Sequence, residues 1–123
     1  MADTTIRDVR TTLLRMPWPA TPGMRGHALG KTRDLVVLEV ETADGIVGMG
    51  YLNPLAPVLR TLGMCLEEAI VPRVLGRDAT AIEAIWRELW RATYTAGRAG
   101  IAMMAISAVD IALWDALGKR ASL

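Results

Sequence analysis

Cysteine, histidine, lysine and serine are all scarce in this 123-residue chain, and each scarcity removes a class of chemistry. Cys65 is the only cysteine, so no intrachain disulfide can form, and a reducing, cytoplasmic setting fits. Cys65 also lies in an apolar helical stretch with no activating neighbour, which reads as structural. His27 is the only histidine, so no Cys/His zinc set can be assembled. Serine occurs only at Ser107 and Ser122, neither in a nucleophile-elbow context. Lysine occurs only at Lys31 and Lys119, and no Gly-x-x-x-x-Gly-Lys phosphate loop is present. Gly45, Gly48 and Gly50 match a dinucleotide fingerprint only loosely, because they follow a turn within a hairpin instead of opening a helix. Excess charge is lacking too. With 14 basic and 13 acidic residues the net charge is +1, and the basic residues are scattered, which argues against nucleic acid or an anionic membrane as partner. The amino terminus is polar, without an apolar signal core.

What is present is apolar surface in two different periods. Hydrophobic residues make up 52% of the chain, enough to bury one domain core. Residues 6–15 partly alternate and carry β-branched side chains, which predicts a first strand. Pro17, Pro19, Pro22 and Gly23 then exclude helix or central strand and open a loop that extends to about Arg33. A loop of that length in a compact domain is commonly a lid, and Trp18, Met24 and Leu29 are apolar enough to need a surface to cover. Residues 35–42, rich in Val and Leu, predict a second strand. The Ala43-Asp44-Gly45 turn follows, and residues 46–51 predict a third strand whose glycines at 48 and 50 suggest close packing or a bulge.

Beyond Asn53-Pro54 the period becomes helical. Residues 57–75 place Val58, Leu62, Leu66, Ala69 and Ile70 on one face with Glu67 and Glu68 outward, and Pro72 predicts a kink or an end near Val71. Asp78 or Thr80 is placed to cap the next helix, residues 81–95, whose broad apolar face holds Ile82, Ile85, Trp86, Leu89 and Trp90. The last helix, residues 97–119, is apolar on almost every face and so expects neighbours on several sides. Ala102, Ala105, Ala108 and Ala112 would let those neighbours approach closely. Its uninterrupted apolar run is short of the ~20 residues of a membrane span, and Asp110 interrupts it. Asp110 and Asp115 read as helix-face or anchoring residues, with Asp115 four residues before Lys119. Strands first, helices after, is an α+β layer arrangement.

His27 is the one side chain suited to acid–base chemistry near neutrality. In its loop it could be an exposed residue without a role, a substrate contact in a lid, or a general acid/base. The residues alone stop at an α+β domain with a long apolar lid.

The run from Val40 to Gly50, then Leu75-Gly76-Arg77-Asp78, and above all residues 97–119 with their Ala-Ile-Ser-Ala-Val-Asp-Ile-Ala-Leu-Trp-Asp-Ala-Leu-Gly-Lys core, together resemble a known family. It is the amino-terminal capping domain of the enolase superfamily, in its mandelate racemase/muconate lactonizing enzyme branch. The resemblance covers about residues 6–119. It implies a three-stranded antiparallel meander followed by a helical bundle, packed on a (β/α)-barrel that follows in the chain. It also implies proton abstraction α to a carboxylate in that parent enzyme, with Mg²⁺ held by barrel residues, a carboxylate small molecule as substrate, and a homo-oligomer.

Family members continue into the barrel where this sequence reaches Ala121-Ser122-Leu123. The resemblance therefore assigns residues 1–119 to the cap and 120–123 to the start of a linker. It implies a chain that is inactive alone, with no catalytic residue, cofactor or metal ligand of its own. What carries over is specificity. The resemblance assigns substrate contacts to two loops, about residues 17–33 (Trp18, Met24, His27, Leu29) and 50–57 (Tyr51, Asn53). Tyr51, where many relatives carry an acid, favours the mandelate-racemase-like group, with acid-sugar dehydratases as the alternative. A stand-alone binding or assembly module with the same fold is the reading from another class.

Overall fold

The computed structural model describes residues 1–17, 32–54 and 57–123. Three strands form one antiparallel sheet in the order β1-β2-β3: β1 is Ile6–Pro17, β2 Thr32–Thr42 and β3 Val47–Leu52. Helices α1 (Leu59–Cys65), α2 (Val71–Val74), α3 (Ile82–Ala92) and α4 (Ile101–Arg120) follow. The expected α+β meander-then-helices arrangement is the one found.

Period-two alternation sets the sheet's faces. Val36, Leu38 and Val40 of β2 are fully buried beneath the helices. The opposite face carries complementary charge. Basic residues on β1 meet acids on β2 there through Arg7–Glu41 and Arg10–Glu39 at 3.4 Å, while Arg15–Asp34, at 2.7 Å, pairs in phase with Leu13–Val36 at the loop end of the helix-side face. Exposed pairs of this kind are each worth only about 0–1 kcal/mol. Their combined effect is to disfavour a slipped register, which would set like charges or apolar residues opposite them.

Both long strands reach further than their patterns predict. β1 includes Met16 and Pro17, and β2 begins at Thr32. Proline is tolerated because β1 is an edge strand, where a missing N–H breaks no central ladder. The hairpin turn is as expected, with Gly45 at φ 88° and its N–H donating to the Thr42 carbonyl oxygen at 2.8 Å.

The segment from 57 to 75 is a helix interrupted, not ended, before Pro72. A π-helical turn, Leu66–Ile70, joins α1 to α2, and the Val71 N–H donates to the Leu66 carbonyl oxygen five residues back. Pro72 cannot donate to the turn before it and its ring would crowd that turn, so one widened turn absorbs the mismatch. Asp78 does not cap α3. The N-cap position is Ala81, without a side-chain bond, and the Asp78 carboxylate instead accepts from the Thr80 N–H at 2.9 Å and the Thr4 hydroxyl at 2.7 Å. An Asx turn tied to the amino terminus has won over the cap. α3 ends at Ala92, earlier than expected, and a 3₁₀ turn, Tyr94–Ala96, leads to Gly97 and Gly100, both at positive φ.

α4 is the core helix. Ala105, Ile106, Ala108, Val109, Ala112 and Leu113 are buried against the sheet, α1 and α3. At 20 residues and a mean hydropathy of 1.6, it is long and apolar enough by composition to cross a membrane, longer than its uninterrupted apolar run suggests. In this fold that apolarity is spent on the domain's own core. Two large side chains on it, Ile111 (44% exposed) and Trp114 (56%), remain uncovered.

Candidate functional site

The meander places the ends of its strands so that both candidate loops leave from one end of the sheet. The last residue of β1, Pro17, is paired with the first of β2, Thr32. Chain 18–31 therefore departs from and returns to adjacent residues. β3 also ends there: Tyr51 is paired with Val37 and Leu52 with Val36, four residues into β2 from Thr32. Residues 53–57 thus start beside the stem of the first loop, while the Asp44-Gly45 turn lies at the far end.

Of the six candidate substrate-contacting residues, Trp18, Met24, His27 and Leu29 lie outside the described residues. Tyr51 is 62% exposed and Asn53 is partly buried. Leu14 and Met16, in phase with Tyr51, are also exposed, whereas Leu13 alternates to the helix side and lies against Gly63 of α1. This end of the sheet is therefore an apolar shelf with one phenolic hydroxyl.

Arg15 and Asp34 hold the stem of the first loop. Arg15 Nε donates to one Asp34 carboxylate oxygen at 2.7 Å and Nη2 to the other at 2.9 Å, a planar two-point contact. The Arg15 guanidinium holds the Asp34 carboxyl below its ordinary value. Neither residue stood out in the sequence. The alternation of basic β1 against acidic β2 could have revealed the pair once the register was known.

The position of Tyr51 depends on how β3 sits on α4. Gly48 and Gly50 face the helix, and no larger residue fits at either position. A Cβ at Gly48 would stand 2.0 Å from the Ala112 carbonyl oxygen, and one at Gly50 2.2 Å from that of Ala108. The glycines thus serve close packing, not a bulge. Met49 and Tyr51 consequently project to the opposite face. Asp115 makes the expected pair with Lys119, at 2.7 Å, and in addition accepts the Met49 N–H at 2.7 Å. The Lys119 ammonium and the Met49 amide together hold the Asp115 carboxyl below the usual carboxylate range.

Among the described residues no group of three His, Cys, Asp or Glu is placed to hold a metal ion. Magnesium would find no ligand set there, and no step through it is derived for these residues. Lys119 is engaged with Asp115 and the Val47 carbonyl oxygen, 2.8 Å away, and is not free to act as a base. Burial pushes the half-buried Cys65 thiol up, away from the nucleophilic thiolate. A narrow apolar cleft between α3 and α4, reaching Asp110, has no room for a substrate. Burial raises the Asp110 carboxyl.

Residues 5–123 match the family model for the mandelate racemase / muconate lactonizing enzyme N-terminal domain. The chain is 38% identical to a 3,6-anhydro-alpha-L-galactonate cycloisomerase of Streptomyces coelicolor, over 94% of this chain and 32% of that protein. It is 42% identical to a D-mannonate dehydratase of Xanthomonas oryzae pv. oryzicola, over 74% of this chain and 21% of that protein. The crystal structure of a racemase from Streptomyces coelicolor A3(2) with bound magnesium superposes with a TM-score of 0.86 at 37% identity, covering 94% of this chain and 32% of that one. The chain thus spans about a third of the length of such relatives.

Proposed function

The chain belongs to the mandelate racemase/muconate lactonizing enzyme family as its N-terminal domain, and from that premise we propose that it is the substrate-specificity cap of a cytoplasmic, magnesium-dependent enzyme that abstracts a proton α to a carboxylate. The observation that carries this reading is the convergence of both loops on one end of the sheet, through the Pro17–Thr32 pair and the end of β3 beside it. Residues 1–119 are the cap and residues 120–123 lead toward a C-terminal (β/α)-barrel, the partner that supplies the metal ligands and the acid/base residues. The cap alone is inactive, and the parent assembles as a homo-oligomer.

In this reading the chain's own residues bind, orient and exclude water. The exposed apolar shelf of Leu14, Met16 and Tyr51 is where the loops close over the barrel mouth. Closure removes water and strengthens each charge interaction in the site. The Tyr51 hydroxyl is a donor and acceptor for the distal end of the acid, with Asn53 beside it. His27, Trp18, Met24 and Leu29 contribute from the first loop as contacts. The uncovered Ile111 and Trp114 of α4 give the cap an apolar seam for the barrel. Similarity to a cycloisomerase and a dehydratase named for sugar acids favours a polyhydroxy acid over an aromatic one.

A domain exchange tests the proposal. Residues 1–120 replace the matching segment of the Streptomyces cycloisomerase, and kcat and KM are measured across a panel of carboxylic acids. The expected result is a changed order of preference, carried mostly by KM. A folded, active hybrid whose preferences equal those of its barrel donor would overturn the specificity role. His27→Ala in the hybrid is expected to shift KM more than the rate of α-proton abstraction.

A further inference from the structure

The open edge of β3 is closed by side chains. Among the described residues β3 ladders with β2 on one side only, and the backbone groups of Val47 and Met49 that point away from β2 would otherwise face outward. Two residues one turn apart on α4 meet them. Asp115 Oδ2 accepts the Met49 N–H at 2.7 Å, Lys119 Nζ donates to the Val47 carbonyl oxygen at 2.8 Å, and the two charged groups are 2.7 Å apart.

A neighbouring antiparallel strand would offer the same edge one carbonyl acceptor and one amide donor. Here a carboxylate replaces the carbonyl and an ammonium replaces the amide, and each completes the other's charge. The substitution works only because α4 lies against β3, which Gly48 and Gly50 allow on either side of Met49. Because the bonds are charge-assisted and linked in a closed cycle, they hold β3 more firmly than two isolated neutral bonds would.

We propose that Asp115 and Lys119 act as a surrogate fourth strand, closing the β3 edge and setting the path by which residues 51–53 enter the second substrate-facing loop. They are positioning residues, acting through Met49 and Val47. Edge closure stands on the geometry alone, whereas its consequence for substrate rests on the cap reading above.

Amide hydrogen exchange and amide NMR shifts of the 123-residue chain test it. Asp115→Ala is expected to speed exchange at Met49 about ten- to a hundredfold, the range of a charge-assisted bond, and to shift the Tyr51, Leu52 and Asn53 signals. Protection at Val36 and Leu38 in the buried centre of β2 should persist. Asp115→Asn, which keeps an acceptor for Met49 but loses the ion pair, should fall between Ala and the parent, and Lys119→Met should speed Met49 exchange less than Asp115→Ala. Unchanged Met49 exchange in a folded Asp115→Ala chain would overturn edge closure. Opened Met49 with unmoved signals at residues 51–53 would overturn the positioning role. If Asp115→Ala does not fold, Asp115→Asn decides by the same two readouts. In the hybrid enzyme, Asp115→Asn should raise KM more than it lowers kcat. Unaltered KM despite displaced signals at residues 51–53 would count against the substrate-facing role of that loop and leave edge closure standing.

Discussion

Gly48 and Ala112 stand so close that a methyl group on the glycine would lie 2.0 Å from the alanine carbonyl oxygen and 2.7 Å from the Ala116 Cβ. Both obstacles belong to the core helix, so neither can move without moving α4. Gly48→Ala is therefore expected to destabilise the chain by about 3 kcal/mol, the upper part of the range for overpacking. Gly118→Ala is the internal control. It lies within α4 with nothing within 4 Å of its added Cβ, and should stabilise by about 0.5–1 kcal/mol through helix propensity. Urea unfolding of the two variants measures both signs.

Acid should unfold the domain through specific carboxylates. The Arg120 guanidinium holds Asp44 well below its ordinary 3.8, the Thr4 hydroxyl lowers Asp78, and the Lys119 ammonium lowers Asp115. A carboxyl whose folded value is depressed contributes stability that is complete above its unfolded value and lost as pH falls through the folded one. Thermal stability should therefore hold above about pH 5 and fall steadily below about pH 4. Asp44→Asn should flatten that fall, as followed by circular dichroism.

Asp110 has the opposite sign. Burial raises its carboxyl, so ionisation costs stability as pH rises through the interval between its unfolded and folded values, and the penalty stays above it. Asp110→Asn should raise Tm at neutral pH by about 2 °C, in line with a gain of about 0.5 kcal/mol at a partly exposed site. The difference should vanish below about pH 3, where both side chains are neutral.

The link into α4 is pinned by an aromatic stack. Trp86 and Trp90 are stacked at 5.3 Å, and the Arg98 guanidinium lies 4.2 Å from the Trp90 ring centre and 4.4 Å from that of Tyr94. Arg98→Met keeps the stem but loses the cation–π contact, for an expected loss of about 0.5–1 kcal/mol at this exposed position. Near-ultraviolet circular dichroism of the tryptophans should change with it.

Much of this was legible in the sequence because pattern and packing agree. The strands, the Asp44-Gly45 turn, the apolar face of Ile82, Ile85 and Leu89, and the Asp115–Lys119 pair all follow from local spacing. What was not legible depends on partners distant in sequence. Asp78 looked like a helix cap until Thr4, 74 residues away, claimed its carboxylate. Pro72 left a kink and a helix end both open, because a single widened turn leaves no compositional trace. Asp115 looked like half of a surface pair because the Met49 amide comes from another layer. The same limit applied to the site: the loops could be named from composition and resemblance, but their common origin beside Pro17 and Thr32 appears only with the register.

The central claim is that this chain shapes a site whose chemistry is supplied by a barrel. Deuterium incorporation α to the carboxylate, measured in D₂O with magnesium over a panel of sugar acids, tests it most directly. No incorporation is expected from residues 1–123 alone, and incorporation is expected once the same residues are joined to the cycloisomerase barrel. Exchange catalysed by the isolated chain, or a barrel equally active and equally selective without it, would contradict the account.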